Sequence, residues 1–201
     1  MRPSKIISIL LHPVIMPLAG VFILLTYGGW LNMIPPEGKR YIYLVVAFTT
    51  LLLPLAMMPV LIRFRIISDY RLSDISERRI PLLIMALLYL AGAYILQMAD
   101  APVILSLFLN GSSMIVLTVA IFNWKWKIST HMAGIGGVTG MVLAISLRWM
   151  LNQQLILAVL FLLGGLAGYA RLADDEHSPA QIEEHRLNSS HIQKSRMPSS
   201  A

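Results

Sequence analysis

The sequence predicts an all-α fold, a polytopic membrane bundle of about six transmembrane helices. Of the 201 residues, 57% are apolar and only 13% are charged, and the mean hydropathy is +0.70. An average soluble domain is about half apolar and about a quarter charged. The apolar residues also cluster into six stretches, and the cations concentrate in alternate loops between them. A water-soluble chain of this composition would expose much apolar surface to water, and lipid removes that cost.

Each of the six stretches is apolar enough to cross the bilayer core, which takes about 20 helical residues. They are residues 6–33, 41–62, 80–98, 102–122, 132–150 and 155–169. Because no backbone group can stay unpaired in lipid, all six are expected to be helical. Pro13 and Pro17 are expected to kink the first span, and Pro54 and Pro59 the second. The glycines of the last two spans are expected to allow close helix packing.

The charges of the loops orient the predicted bundle. One side holds the N-terminus, residues 63–79, residues 123–131 and the chain from residue 170, and it carries 13 of the 16 Lys and Arg residues. The positive-inside rule therefore places that side in the cytoplasm. Residues 1–173 form the predicted bundle, and residues 174–201 form a polar C-terminal tail that is expected to be disordered.

The composition also narrows the classes of function. There is no cysteine, which excludes disulfides, thiolate metal sites and a cysteine nucleophile. The net charge of +6 follows the membrane loops, so we expect no nucleic-acid partner. No carboxylate cluster that would hold a metal is evident, and no cofactor is predicted. A transporter would need ionisable residues in mid-span, which are nearly missing here. A polyprenyl transferase needs two aspartate clusters to bind magnesium pyrophosphate. Asp69 and Asp74 lie near a span, but the sequence has no second aspartate cluster, which argues against this class.

Three polar clusters lie at predicted helix ends on the cation-rich side. They are residues 71–81 before the third span, 127–131 at the start of the fifth, and 171–181 after the sixth. Because helix ends on one face can converge, we expect the three clusters to form one site. Their cations suit a phosphate, for which they supply charged hydrogen-bond donors. These cations are Arg71, Arg78, Arg79, Lys127 and Arg171.

The remaining polar residues of the clusters fit the same chemistry. Ser129, Thr130 and His131 come where a helix begins, and backbone N–H groups and the positive helix end favour anions there. His131 and His177 are the two candidates for a nucleophile and a general acid. A plainer interpretation stays open: arginines beside a span commonly determine topology only, and a lone histidine such as His131 commonly makes an interfacial hydrogen bond.

In order along the chain, the three clusters resemble the motifs of the type 2 phosphatidic acid phosphatase family, and in particular a compact bacterial branch of it. Arg71 and Arg78 have the spacing of the family's first motif, a basic residue, six residues and Arg-Pro, although the proline comes later and Arg79 is an equal candidate. Ser129-Thr130-His131 resembles the second motif, Pro-Ser-Gly-His. In the third motif Arg171 and His177 keep their spacing, and Gln181 stands where the family has Asp.

The resemblance implies a metal-independent membrane phosphatase that acts on a lipid phosphate or a polyprenyl diphosphate. His177 would attack phosphorus and form a phosphohistidine, and His131 would protonate the leaving oxygen. The cations, with Arg171 at the catalytic centre, and Ser129 and Thr130 would bind the phosphate. Gln181 would orient His177 without the charge of an aspartate, so a slower enzyme, or none, is expected.

Two further expectations accompany the resemblance. The family continues into another membrane helix after its third motif, whereas residues 182–190 are polar, so that last helix is expected to be missing. The chain is expected in a bacterial cytoplasmic membrane with membrane lipid as its partner. The alternative function is a catalytically inactive relative that binds anionic lipid or a membrane partner.

Overall fold

The structure is a computed structural model that describes residues 14–68, 76–123 and 129–169. Within these ranges every regular element is helical. The helices are α1 (Met16–Tyr27), α2 (Pro36–Arg63), α3 (Arg79–Met98), α4 (Val103–Phe122), α5 (Thr130–Trp149) and α6 (Gln154–Tyr169). Two short 3-10 turns, Gly29–Met33 and Ser76–Arg78, precede α2 and α3.

Four of these helices, α2 to α5, are long and apolar enough to cross a membrane. Large apolar side chains such as those of Leu87, Met114 and Phe161 are exposed on the outside of the bundle, as expected where lipid is the solvent. The predicted all-α membrane bundle is therefore confirmed. The first and sixth predicted spans contain the shorter apolar helices α1 and α6, which border residues outside the described ranges, so six crossings remain a prediction.

The helices pack as an antiparallel up-and-down bundle. The hairpin of α3 and α4 is the most extensive helix pair, and a buried hydrogen bond of 2.9 Å from Ser113 Oγ to Ala86 O joins its two helices. Helix α5 packs against α4 and α1, and α2 packs against α1 and α3. One apolar core joins them, and it includes Val21, Val46, Leu96, Leu109, Val142 and Leu160. Short connections between antiparallel helices explain this neighbour-to-neighbour order.

The prolines of α2 and α1 act differently from one another. In α2 a wider, π-type turn at Phe48–Leu52 ends two residues before Pro54. Such a turn relieves the clash between a proline ring and the carbonyl one turn earlier. Pro59 lies inside the last part of α2. Pro17 lies in the first turn of α1, where a missing N–H costs nothing and no kink follows. Pro13 falls outside the described residues.

The glycines of the last two spans do not all pack closely. A Cβ atom at Gly137 of α5 would lie 2.8 Å from Ile115 Cδ1 of α4, so this glycine does permit a close approach. For Gly136, Gly140 and Gly165, no heavy atom of the described residues lies within 4 Å of the same position, apart from the adjacent residues and the backbone of the same helix. Gly136 and Gly140 are one helical turn apart and exposed on the outer face of α5, which explains why they meet no neighbour there.

Gly92 of α3, the glycine of the third predicted span, lies close to two neighbouring helices. A Cβ atom there would lie 2.5 Å from Thr49 Oγ1 of α2 and 3.3 Å from Leu109 Cδ1 of α4. Thr49 Oγ1 also donates a 2.8 Å hydrogen bond to Val45 O, which holds it in place.

We therefore expect Gly92→Ala to lower the free energy of unfolding by about 1–3 kcal/mol, the usual cost of overpacking. Gly140→Ala is the matched control, because its methyl group meets open space and alanine is the better helix former. Thermal unfolding in detergent micelles measures both. A Gly92→Ala protein that unfolds at the wild-type temperature would refute the close approach.

Because the helices alternate in direction, their beginnings and ends lie at two opposite ends of the bundle. The beginnings of α1, α3 and α5 and the ends of α2 and α4 lie at one end of the bundle, the end with the cation-rich loops. At the opposite end, the rings of Trp30 and Trp149 lie 6.0 Å apart, and Gln153 Nε2 donates a 2.8 Å hydrogen bond to Tyr27 O. The predicted tail, residues 174–201, lies outside the described residues.

Candidate functional site

A cavity of about 470 Å³ opens at the cation-rich end of the bundle. Its wall comes from five helices, through their residues at that end. Apolar side chains make up most of the wall, among them Met16, Pro54, Met58, Leu82, Met85, Phe108, Val116 and Val138. Ligand pockets have volumes of about 300–1,000 Å³ and are largely apolar with a few convergent polar groups. The cavity has the size and the apolar character of such a pocket.

The polar part of the wall includes Arg78, Thr130 and His131. Arg78 is the last residue of the 3-10 turn before α3, and Thr130 and His131 are the first two residues of α5. Residues at two sequence-distant helix beginnings therefore line one space. Helix beginnings carry partial positive charge, which adds to the charge of Arg78. This end of the cavity suits an anion.

Ser129 begins α5 as its N-cap. It has an extended backbone, and its side-chain oxygen accepts a hydrogen bond from the Met132 N–H at 3.5 Å. Serine is among the residues most favoured at this position, because its oxygen accepts a hydrogen bond from a backbone N–H group that has no partner within the helix. Ser129 thus fixes where α5 starts, and with it the positions of Thr130 and His131.

The structure joins two of the three predicted clusters. Arg78, Thr130 and His131 share the cavity wall, whereas Arg79 begins α3 and is not among the described residues of that wall. Arg71, Lys127, Arg171, His177 and Gln181 lie outside the described residues, so their convergence on this cavity stays a prediction. Among the residues that the structure describes, no group of three or more His, Asp or Glu residues is arranged to hold a metal ion.

A hydrogen-bonded tether lies next to Arg78. The carboxylate of Glu77 accepts a hydrogen bond from Ser68 Oγ at 2.5 Å and another from Ser68 N at 3.1 Å. Ser68 follows α2 and Glu77 precedes α3, so this contact ties the two ends together beside the cavity. The serine hydroxyl bond, followed by the backbone bond, lowers the pKa of Glu77 from its ordinary value, because both favour the charged form.

We expect Ser68→Ala to raise the pKa of Glu77 back toward that ordinary value. Because the folded pKa is lowered, the tether contributes at pH values above the ordinary pKa and is lost as the pH falls through the lowered one. A carboxyl NMR titration measures the shift. Ser106→Ala, whose hydroxyl donates to Val103 O within α4, is the control. An unchanged Glu77 titration in Ser68→Ala would contradict the tether.

Sequence reasoning missed the deep wall of the cavity. Tyr89 of α3 and Ser112 of α4 line it, and neither belongs to a polar cluster of the sequence. The sequence feature that could have indicated Tyr89 is a phenol within an apolar span, because polar groups inside membrane helices are functional candidates. The methionines of the wall carry no such signal, since methionine is an ordinary residue of apolar spans.

The fold and the cavity together define a class, an α-helical membrane protein with an amphipathic cavity at its cation-rich end. Comparison with protein-family models, with curated proteins and with solved structures gives no match to this chain.

Proposed function

We propose that this chain is an integral membrane phosphatase of the bacterial cytoplasmic membrane that hydrolyses a lipid phosphate or polyprenyl diphosphate. The observation that carries the proposal is one cavity that has Arg78, Thr130 and His131 toward the cation-rich end, taken here as its mouth, and mostly apolar residues further in. An anion at the mouth with a hydrocarbon chain behind it matches both halves of this wall. The anionic group would bind through charge-assisted hydrogen bonds, and the chain through burial of its apolar surface.

The proposed chemistry uses two histidines. The imidazole of His177 attacks phosphorus and the bond to the leaving oxygen breaks, while His131 donates a proton to that oxygen. Water then attacks the phosphohistidine, His131 takes up a proton from it, and inorganic phosphate and free His177 result. Phosphoryl transfer of this kind needs mainly positioning and charge stabilisation. In this proposal Arg78 and the beginning of α5 supply that charge.

The membrane side of the site follows from the loops. The cavity opens at the end of the bundle that carries most of the Lys and Arg residues. The positive-inside rule assigns this end to the cytoplasm. We therefore propose that the phosphate group is bound from the cytoplasmic leaflet.

The direct test is phosphate release by the purified protein in detergent. The substrates are a panel that contains phosphatidate, lysophosphatidate and a polyprenyl diphosphate, and inorganic phosphate is measured colorimetrically. We expect release above the background of empty detergent for at least one lipid phosphate. No release from any of them, with no binding either, would refute the proposal.

A second candidate is a relative that binds anionic lipid without turnover. The observation that favours it is Gln181, which stands where the resembled motif has a charged aspartate. An amide can orient the imidazole of His177 but does not stabilise its charged form. Native mass spectrometry that shows bound phosphatidate, combined with zero phosphate release, would select this candidate over the enzyme.

A further inference from the structure

Helix α2 changes its surroundings halfway along its length. Its first half, Pro36–Ala47, packs against both α1 and α3. Its second half, Leu53–Arg63, packs extensively against α3 alone among helices α1 to α5. The wide turn at Phe48–Leu52 separates the two halves. The second half is therefore held by fewer neighbouring helices than the first.

This second half forms one side of the cavity. The residues of it that line the cavity are Pro54, Leu55, Met57, Met58 and Leu61. Ala56, Pro59 and Val60 lie on the opposite face of the same helix, and they are exposed. The segment Leu53–Arg63 is therefore the side wall between the cavity and the outside of the described bundle.

The turn at Phe48–Leu52 has the properties of a hinge. Sharp helix kinks occur mostly at prolines and at π-type turns. Here the two coincide, because Pro54 comes two residues after the π-type turn. Hinges of moving protein segments are a few residues that absorb a change of backbone angle while the elements on either side stay intact.

The side chains of the turn suit a change of angle within a membrane. Thr49 Oγ1 donates a hydrogen bond to Val45 O and Thr50 Oγ1 donates one to Val46 O, each at 2.8 Å. Such hydroxyls supply partners for carbonyl groups where the backbone ladder of a membrane helix is interrupted. Thr49 also lies against Gly92 of α3. This close contact holds the turn itself in place, so that it can act as a pivot.

The far end of the side wall is attached to the start of α3 by the tether between Ser68 and Glu77. Both hydrogen bonds of the tether are exposed to solvent, where water can replace either partner and the net contribution is small. Ile67, directly before Ser68, is 2% exposed, and its burial adds to the attachment. The side wall thus has a pivot at one end and a releasable contact at the other.

We propose that the side wall swings about the turn at Phe48–Leu52 to admit a hydrocarbon chain from the bilayer into the cavity, and that the Ser68–Glu77 tether holds it closed. This inference rests on the part of the proposed function that both candidates share, a lipid chain in the apolar part of the cavity. A chain that entered from the aqueous end would first leave lipid for water, at a cost that grows with each CH₂ group. A sideways route keeps the chain in apolar surroundings throughout.

The association rate of hexadecylphosphonate, a non-hydrolysable anion with a long chain, tests the role of the tether. The full-length protein is reconstituted in lipid nanodiscs. It contains no cysteine, so a Ser68→Cys/Glu77→Cys variant can be joined selectively by a short, reducible thiol reagent. This cross-link is expected to slow association about tenfold or more, because entry then requires a closed wall to open. Reduction of the cross-link is expected to restore the rate.

The matched control is a cross-linked Asn32→Cys/Lys39→Cys variant. Lys39 Nζ donates a 2.9 Å hydrogen bond to Asn32 Oδ1, so these two side chains are also in contact, but at the opposite end of the bundle. Their cross-link should leave the association rate unchanged. Ser68→Ala removes one bond of the tether, and we expect it to speed association about fivefold, the weight of one hydrogen bond.

Distances between spin labels locate the motion. Labels at Val60 of the side wall and at Met114 of α4, both exposed, report the position of the wall. A change of about 20° at the kink moves Val60, about 12 Å beyond the turn, by about 4 Å. In Ser68→Ala we expect Val60–Met114 distances that reach about 4 Å beyond the wild-type range. Labels at Leu44 and Met114 report the first half of α2, and their distances should match the wild type.

The outcomes distinguish this inference from the proposed function. If the cross-link between positions 68 and 77 leaves association unchanged, or slows it no more than the control cross-link, the side wall is not the entrance. Val60–Met114 distances in Ser68→Ala that equal those of the wild type overturn the hinge. Either result leaves the phosphatase proposal standing. If hexadecylphosphonate does not bind to the wild-type protein, the proposed function fails and the inference fails with it.

Discussion

Replacing His131 with alanine is expected to reduce phosphate release from a lipid phosphate by about 10²–10⁴-fold, the usual contribution of a general acid. His131 is the second residue of α5 and lines the cavity together with Arg78. In the proposed mechanism its imidazole gives a proton to the leaving oxygen of a phosphate bound in the cavity. His177→Ala is expected to reduce release at least as much, because it removes the proposed nucleophile.

The chain offers a matched control for both histidine variants. His185 lies in the polar segment after the third cluster, and we assign it no role, so His185→Ala should keep wild-type turnover. Rates at saturating substrate, with circular dichroism to verify helix content, measure the three variants side by side. Wild-type rates in both His131→Ala and His177→Ala would eliminate the proposed mechanism.

Filling the cavity is expected to cause the second large effect, a loss of at least tenfold in kcat/KM for long-chain lipid phosphates in Met85→Trp. Met85 of α3 lines the cavity, and a larger side chain there occupies volume that the hydrocarbon of the substrate would fill. A short, water-soluble phosphate ester needs only the mouth of the cavity. Its turnover is therefore expected to change little.

Leu87→Trp is the control for this variant. Leu87 lies two residues further along α3, and it is 65% exposed on the outer face. A tryptophan there faces lipid and leaves the cavity unchanged. Chain-length profiles of kcat/KM for the two variants and the wild type give the comparison. An equal loss for short and long substrates in Met85→Trp would indicate damage to the mouth or the fold and would argue against a chain-binding cavity.

The histidine experiment and the tryptophan experiment examine different parts of the proposed site. The histidine variants affect turnover and leave the apolar depth intact, whereas the tryptophan variant affects the depth and leaves the charged mouth intact. In a lipid binder without catalytic activity, Met85→Trp would lower the affinity for lipid. Such a protein would release no phosphate, so His131→Ala could not reduce its turnover. The pair of experiments thus separates the enzyme from the second candidate.

Much of the membrane fold follows from short-range features of the sequence. The four long helices lie where apolar stretches of sufficient length predict them, because lipid requires internal backbone pairing whatever the neighbours are. The start of α5 is also local, since Ser129 is a good N-cap directly before the apolar residues of the span. That Arg78 and His131 line one cavity was predicted only as a convergence of helix ends.

Other features depend on packing between distant segments. The glycine pattern of α5 predicted close approaches at several positions, but only the helix that lies opposite decides which are used, as Ile115 does for Gly137. The same holds for Gly92, whose contact is Thr49 on a helix far away in sequence. Side-chain periodicity shows which residues share a face and not what that face meets.

The sequence by itself determined that this chain is a helical membrane protein with its cations at one end, because hydropathy and charge act through the solvent and need no partner residue. Only the tertiary structure decided that Arg78, Thr130, His131 and Tyr89 line one cavity, and that most of its wall is apolar. A cavity is the space that several helices leave between them, so no single stretch of the chain can encode it.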